Sequence, residues 1–345
     1  MAEPSKFQNG FVQFFLGALV LGTTLCVVGG TGAFVYGWSG WTKAGPLQTE
    51  TSIIIPRGSG VSTIAATLED QGVIEDALLF KAMARITGHH TNLKAGEYAF
   101  APQISMRSVI DKIERGDVVQ RRVTVPEGLT SHQIVKIVNG TDGLSGTITD
   151  IPAEGSLLPE TYSFLKDQDR TEIITQMQTA MTDAITQMWP TRDPGLPFDT
   201  IEQAVTLASI VEKETGIGDE RKRVAGVFIN RLRMNMPLQS DPTVIYAITK
   251  GDMKDDGMGP LGRRLLRKDL TDTDSPYNTY KYPGLPPGPI ANPGKASIDA
   301  VLHPEQHNYI YFVADGEGGH VFARTLTEHQ NNVNEWRKVR KAKGK

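Results

Sequence analysis

The sequence predicts an α+β fold carried outside a membrane by a single N-terminal transmembrane helix. Three observations predict it. An uncharged apolar run fills the N-terminus between Lys6 and Lys43. Downstream, β-rich runs that stop at Pro-x-Gly lead into amphipathic helical patterns. The last third is rich in loops dense in Tyr, Asn, Gly and Pro, where sites usually sit. With 345 residues the chain is long enough for two domains and a sizeable core.

The apolar stretch FVQFFLGALVLGTTLCVVGGTGAFVY (Phe11–Tyr36) exceeds the ~20 residues a helix needs to cross the hydrocarbon core. Membrane helices tolerate the five glycines inside it. Tyr36, Trp38 and Trp41 follow as an interfacial aromatic belt would. A cleaved signal peptide is the rival, but its apolar core spans only ~7–15 residues. The longer run predicts an uncleaved anchor over 11–36, with residues 1–10 cytoplasmic and the rest outside. Lys6 and Lys43 flank opposite ends, so the positive-inside count decides little. Cys26 is the only cysteine and lies in the anchor, which leaves the outer part without disulfide or thiol chemistry. That fits a bacterial periplasm or cell surface. A net charge of −3, from 36 basic and 39 acidic residues, does not suggest a nucleic-acid partner. The basic tail KVRKAKGK reads as a solvated end.

Gly45–Glu50 reads as a linker. TSIIIPRGSG is a strand ending in Pro-x-Gly, and Val61, Ile64, Ala65 and Leu68 then mark one helix face. Further expectations are a helix over Ala77–Ile86, a strand at GEYAF (Gly96–Phe100) and a helix over Ser105–Gly116, capped by Ser105 and stopped by Gly116. RRVTVPEGLT repeats the first unit at an offset of 70: Pro56, Gly58, Ile64 and Leu68 match Pro126, Gly128, Ile134 and Val138. Two strand–turn–helix modules are therefore expected over about 48–140. In pattern they resemble LysM domains, which bind glycans containing N-acetylglucosamine.

A Gly/Thr/Asp/Pro-rich connection leads into the remaining domain, 141–340, which opens with LLPETYSF (Leu157–Phe164). A long helix over Glu172–Trp189 is stopped by Pro190. Asp199 or Thr200 can cap the next helix, and Gly216 and Gly218 break it. Asp219 is the expected cap of the one after, whose buried face carries Val224, Val227, Phe228 and Leu232. From Pro237 onward loops are expected.

The helix before Gly216 ends in SIVEKETG (Ser209–Gly216). At ~100° per residue its apolar residues cover a broad arc, Lys213 points away, and Glu212 and Glu214 flank the arc on opposite sides. Either glutamate can be half-buried, so spacing does not choose between them. A carboxyl at such an edge, lining a cleft, loses hydration and can serve as a general acid. Glycoside cleavage needs that acid and usually a second carboxylate. Asp241, Glu160 and Glu220 are candidates, none marked by spacing. No helix carries an H-x-x-x-H pair, and no Walker or G-x-S-x-G pattern occurs, so no metal or organic cofactor is implied. The tyrosines and amide of SPYNTY (Ser275–Tyr280) suit sugar rings and acetamido groups.

Five ordered blocks make these residues familiar. They are ASIVEKET (Ala208–Thr215), VAGVFINRLRMNMPLQSDPTVIY (Val224–Tyr246), YNTY (Tyr277–Tyr280), GLPPGPI (Gly284–Ile290) and YFVADGEGGHVF (Tyr311–Phe322). Together they strongly resemble the MltG/YceG-like endolytic murein transglycosylases. The resemblance implies a single-pass inner-membrane protein with its catalytic domain outside the cytoplasm. It implies cleavage of the N-acetylmuramic acid–N-acetylglucosamine β-1,4 bond of nascent peptidoglycan strands without water. The product would carry a 1,6-anhydro-muramyl end, and strand elongation would stop there. By resemblance, Glu214 is the catalytic acid, and Gln239, Asp241, Tyr277, Asn278 and Thr279 belong to the cleft. Where the family often has LPDTY or FPDTW this chain has LPETY, which leaves the role of Glu160 open. One glutamate would serve as acid and then base, with the muramyl 6-hydroxyl as nucleophile and the acetamido group held by Asn278 or a tyrosine. Glycan strands are the expected partner, with cell-wall synthases (penicillin-binding proteins) a further one. Two rivals are a hydrolase in which Asp241 or Glu160 activates water, and a non-catalytic glycan-binding scaffold.

Overall fold

A computed structural model describes residues 6–254 and 260–342. Part of the loop around Gly251–Asp269, the last residues of the basic tail and the first five residues lie outside that description. The chain forms two compact units, 1–120 and 121–345. Both mix helices with short strands, and the described residues contain four two-stranded sheets.

In the first unit, α1 (Lys6–Thr42) holds a 29-residue stretch, Phe14–Thr42, long and apolar enough to cross a bilayer. Its last turn differs from the expected aromatic belt. Tyr36 and Trp38 are exposed, but Trp41 is buried and packs on Phe80 at 5.7 Å. The predicted linker is also tied down: Leu47 is buried, and backbone bonds join Gly45 to Gln103 and Gln103 to Leu47. The indole and the leucine bury apolar area in the core of this unit, which outweighs placement at an interface or in water.

β1 (Thr51–Ile55), α2 (Val61–Asp70), α3 (Ala77–Ile86), β2 (Gly96–Phe100) and α4 (Met106–Arg115) complete the unit. β1 and β2 pair antiparallel, with Ile53 opposite Tyr98. Ser105 caps α4 and left-handed Gly116 ends it, as its sequence requires. Met106, Val109, Ile110 and Ile113 form the buried stripe of α4, at helical spacing.

The second unit begins with β3 (Arg121–Thr124), α5 (Ser131–Asn139), β4 (Leu144–Ser145), β5 (Thr161–Phe164), β6 (Gln168–Asp169) and α6 (Arg170–Met188). β3 pairs antiparallel with β5, so Val123 faces Tyr162. That pairing draws the second strand–turn–helix module into this unit rather than leaving it with the first over 48–140. Val123, Ile134, Val138, Leu157, Ile173 and Met177 share one core. Arg170 fastens the connection by donating to the carbonyls of Val138, Thr141, Leu144 and Gly146.

Next come α7 (Ile201–Glu214), α8 (Arg221–Arg233), α9 (Asp241–Thr249), α10 (Arg267–Asp272), α11 (Lys295–Leu302), the hairpin β7 (Tyr311–Ala314) and β8 (His320–Ala323), and α12 (Leu326–Ala342). α7 sits in the middle of the larger core, with Leu207, Ile210, Val224, Phe228, Ile298 and Val301 closed around it. Helices α9, α11 and α12 occupy segments expected to be loop or solvated tail. The first two are short helices of nine and eight residues, stabilised by packing more than by propensity. Asp219 does not cap α8. It lies in a single 3-10 turn, and Glu220 takes the cap position without a side-chain bond to the helix.

Candidate active site

The site is built on the end of α7. Thr200 and Gln203 close its start as a capping box. Apolar residues from Ala204 to Val211 are buried along it, and the buried Ser209 accepts from Ile290 N at 3.0 Å. That bond pins the Gly284–Ile290 segment to the helix. The backbone turns extended at Thr215, so Glu214 is the last helical residue.

The two glutamates separate clearly. Glu212 accepts from Gly294 N at 3.0 Å and lies 3.9 Å from Arg221. Gly294 caps α11, so a negative charge there complements the helix N-terminus. Glu127 lies beside it, and partial burial together with the Glu212 charge pushes its carboxyl up. Glu160 belongs with this group. It is half-exposed, pairs with Lys295 at 3.3 Å and adds to the negative charge at Glu127.

Glu214 faces a different set. Ser240 Oγ donates to its Oε1 at 2.5 Å. Ser240 is the cap residue of α9, yet its hydroxyl makes no cap bond to that helix. Burial, and then the charge of Asp241, push the Glu214 carboxyl up to about 7, while the Ser240 bond, His320 and Arg231 pull it back. The residue keeps some exposure although protein surrounds its carboxyl, as an acid at a cleft wall requires. Arg231 is buried, donates to Ile310 O at 2.7 Å and Leu238 O at 2.6 Å, and lies 5.5 Å from the Tyr311 ring centre. Burial lowers its pKa.

Of the residues expected in the cleft, Gln239 and Asp241 flank Ser240 and are exposed. Gln239 adopts a left-handed φ of 52°, the bend that brings Ser240 inward. Asp241 accepts from Tyr280 OH at 2.6 Å. Thr279 is buried and braces the bend, accepting from Ser240 N at 3.0 Å and meeting the Thr243 hydroxyl at 2.8 Å. Asn278 is fully buried. Its amide donates to Leu270 O and Thr273 O and accepts from Tyr280 N, so it shapes the loop that carries Thr279 and Tyr280. Tyr277 packs on Tyr246 at 4.9 Å. The structure therefore gathers Glu214, Gln239 and Asp241, uses Thr279 and Asn278 as scaffold, and groups Glu160 elsewhere.

Ser240, Arg231 and His320 are the members to which the sequence assigns no role, whereas Tyr280 comes with the tyrosines of SPYNTY. For Ser240 a signal existed: a serine before Asp-Pro reads as a helix cap, and a cap hydroxyl can be diverted. No local pattern marks Arg231, because its partners are backbone carbonyls, one of them 79 residues away at Ile310.

A cavity of about 560 Å³ opens at the other end of α7, lined by Met181, Ile185, Ile201, Val205 and Glu154. It shares no residue with the Glu214 group. Among the described residues one grouping has ligand atoms within 4.8 Å of one another: His89, Asp111 and Glu114 of the first unit. Two of these are already paired, His89 with Glu114 at 2.5 Å.

The sequence profile of the YceG-like family matches residues 53–335. An endolytic murein transglycosylase of Bacillus subtilis is 34% identical over 333 residues, covering 86% of this chain and 88% of its own. One from Streptococcus pneumoniae is 31% identical over 329 residues, covering 81% of this chain and 57% of its own. A crystal structure of a YceG-like protein from Listeria monocytogenes is 33% identical over 82% of this chain and 98% of that one, with a TM-score of 0.48.

Proposed function

The chain belongs to the YceG-like family, and we propose that Glu214 is the single acid–base residue of a peptidoglycan lytic transglycosylase. The carrying observation is its carboxyl, pushed up to about 7 by burial and gripped on one oxygen by Ser240. A glutamate with that value is substantially protonated near neutral pH and can still lose its proton. Oε1 is occupied as an acceptor, which leaves Oε2 to carry the proton.

Glu214 donates this proton to the glycosidic oxygen as the bond from muramyl C1 breaks. The muramyl 6-hydroxyl oxygen attacks C1 and closes the 1,6-anhydro ring. Its proton returns to the Glu214 carboxylate, so the acid is restored and no water is consumed. Ser240, Arg231 and His320 favour the carboxylate needed in that second half. Asp241 and Gln239 contact the glycan beside the acid in this reading, which their exposure on either side of Ser240 supports, and Asp241 accepts from Tyr280 OH.

The bond cut is the β-1,4 link between N-acetylmuramic acid and N-acetylglucosamine within nascent strands, and the cut ends elongation there. α1 anchors the chain in the cytoplasmic membrane, with the residues after it outside. The two strand–turn–helix modules supply LysM-like glycan contacts, and a cell-wall synthase is the natural partner for an enzyme acting on nascent strands. Mass spectrometry of glycan strands digested by the full chain tests the reaction. Products one water lighter than hydrolytic fragments, lost in E214Q, are expected. Fragments with free reducing ends would mean hydrolysis, and unaltered cutting by E214Q would remove Glu214 from the reaction.

A further inference from the structure

Helix α3 of the first unit turns an apolar stripe outward. Leu78 and Ile86 are 72% and 71% exposed, the two highest values for large apolar side chains outside α1 among the described residues. Ala82 between them is exposed as well. Residues four and eight apart share one side of a helix, so the three form a stripe two turns long. Phe80 and Ala84 turn the other way, into the core of the unit. Leu79 and Met83, on the flank between these two faces, seat α3 on the end of α1. A Cβ on Gly40 would come within 2.6 Å of Leu79 Cδ2, and one on Gly37 would touch Met83 Sδ at 3.7 Å and Leu79 Cδ1 at 3.8 Å. Leu79 thus meets both glycines, whereas Met83, a turn later, meets only the earlier one. The helices therefore run in opposite senses, and α3 heads back toward the apolar length of α1. Ile86 lies three residues beyond Met83, about 4.5 Å further that way.

The apolar segment Phe14–Thr42 has 29 residues, a helix of about 44 Å, against a hydrocarbon core of about 30 Å. The excess of about 14 Å leaves an end of the segment at head-group level. The end that carries α3 also carries exposed Tyr36 and Trp38, with Trp38 stacked on Phe34 at 6.0 Å, and such rings favour the interface. The ten residues of α3 include Lys81 and Arg85 and no acid. Glu75 and Asp76 stand before its start, away from the membrane, and Lys43 pairs with Glu75. We propose that α3 lies in the membrane interface, with Leu78, Ala82 and Ile86 among the lipid head groups and Lys81 and Arg85 on their phosphates. The inference rests on the reading of α1 as a membrane anchor and adds a second lipid contact, made by the folded first unit. An apolar strip flanked by basic side chains with long aliphatic stems suits that boundary.

The test places a fluorophore on the full chain in vesicles of phosphatidylethanolamine and phosphatidylglycerol that carry nitroxide lipids. Ile86→Cys, Leu78→Cys and Glu75→Cys, each in a Cys26→Ser background, are labelled singly, and wild type is labelled at Cys26, its only cysteine. Head-group nitroxide is expected to quench the labels at 86 and 78 about twofold or more and the label at 75 least. Iodide in the water should give the reverse order. Labels at 78 and 86 that iodide quenches as fully as the one at 75, with no effect of nitroxide lipid, overturn the proposal. Protection from iodide that disappears when the protein is diluted in excess lipid also overturns it, because a second copy would then cover the stripe. Both positions are exposed, and should one variant not fold the other decides. Failure of the anchor reading looks different: the label at position 26 would then escape a nitroxide placed mid-way along the acyl chains. Quenching at 26 without quenching at 78 or 86 would break this inference alone.

Discussion

The two flanks of the end of α7 carry chemically identical side chains in unlike surroundings. On one flank, Glu212 is tied to Gly294 N and lies near Arg221, beside the Pro126–Gly128 turn. On the other, Glu214 has one hydroxyl donor, a nearby carboxylate, and Arg231 and His320, which do not bond it directly. The first arrangement satisfies a charge and joins helices. The second keeps a proton in balance, with burial against a few opposing charges. Two residues of separation on a helix swing a side chain through about 200°, enough to divide support from chemistry.

The sharpest break in that comparison is to neutralise each glutamate in turn. E214Q should lower kcat by about a thousandfold or more while glycan binding persists, since proton transfer itself is lost. E212Q should keep activity within a fewfold and cost about 0.5–1 kcal/mol in a denaturant titration, the value of a charge at a helix N-terminus. Equal rate losses in the two variants would erase the distinction.

S240A probes the hydroxyl on the catalytic flank. Removing a donor that favours the carboxylate should cost about tenfold in rate and move the basic limb to higher pH. A lowered limb would give Ser240 the opposite role.

The supporting flank is tested by its turn. Gly58 and Gly128 both have left-handed backbones, at φ +81° and +75°. A Cβ at Gly58 meets nothing within 4 Å, whereas at Gly128 it meets Glu212 Cγ at 3.3 Å and Lys213 Cδ at 3.6 Å. Gly58→Ala should cost about 1–2 kcal/mol from backbone strain alone and leave activity intact. Gly128→Ala should cost more and slow the reaction, because the turn also receives Lys213 Nζ on its carbonyl at 3.0 Å. Matching activities in the two variants would show that the turn does not support the helix end.

A last expected effect is on the pH dependence of stability. The folded Glu214 holds its proton up to about 7, against 4.5 for an ordinary glutamate. The native state then binds more protons than the unfolded chain between those values, so its contribution falls as pH rises through that window. Melting curves of wild type should lose about 1–2 kcal/mol relative to E214Q from pH 4.5 to 8, after allowance for partial exposure. A constant difference across pH would contradict the raised carboxyl.

Much of the frame was legible in the sequence. Ser105 and Gly116 bounded α4 by capping rules, and the apolar run of α1 followed from composition. The repeat of Pro-x-Gly at an offset of 70 also described real turns, but local chemistry could not say which core each would join. Pairing of β3 with β5 decided that. Trp41 shows the same limit, since an aromatic at the end of an apolar helix serves an interface or a core equally well by pattern. In the site, rotation placed both glutamates at the edge of the apolar face and stopped there. The difference arises from burial of the Glu214 carboxyl, which Ser240, Asp241, His320 and Arg231 then modulate; long-range packing delivers all of it and no spacing announces it. The acetamido group was expected to be held by Asn278 or a tyrosine, and of these the Asn278 amide is occupied by Leu270 O, Thr273 O and Tyr280 N.

The most direct measurement is a crystal structure of full-length E214Q with a glycan fragment spanning the cleft. The scissile oxygen is expected within hydrogen-bond distance of the side chain at position 214, with Asp241 and Gln239 on the sugars beside it. A scissile oxygen seated against Glu212, Glu160 or Glu154 instead would contradict it.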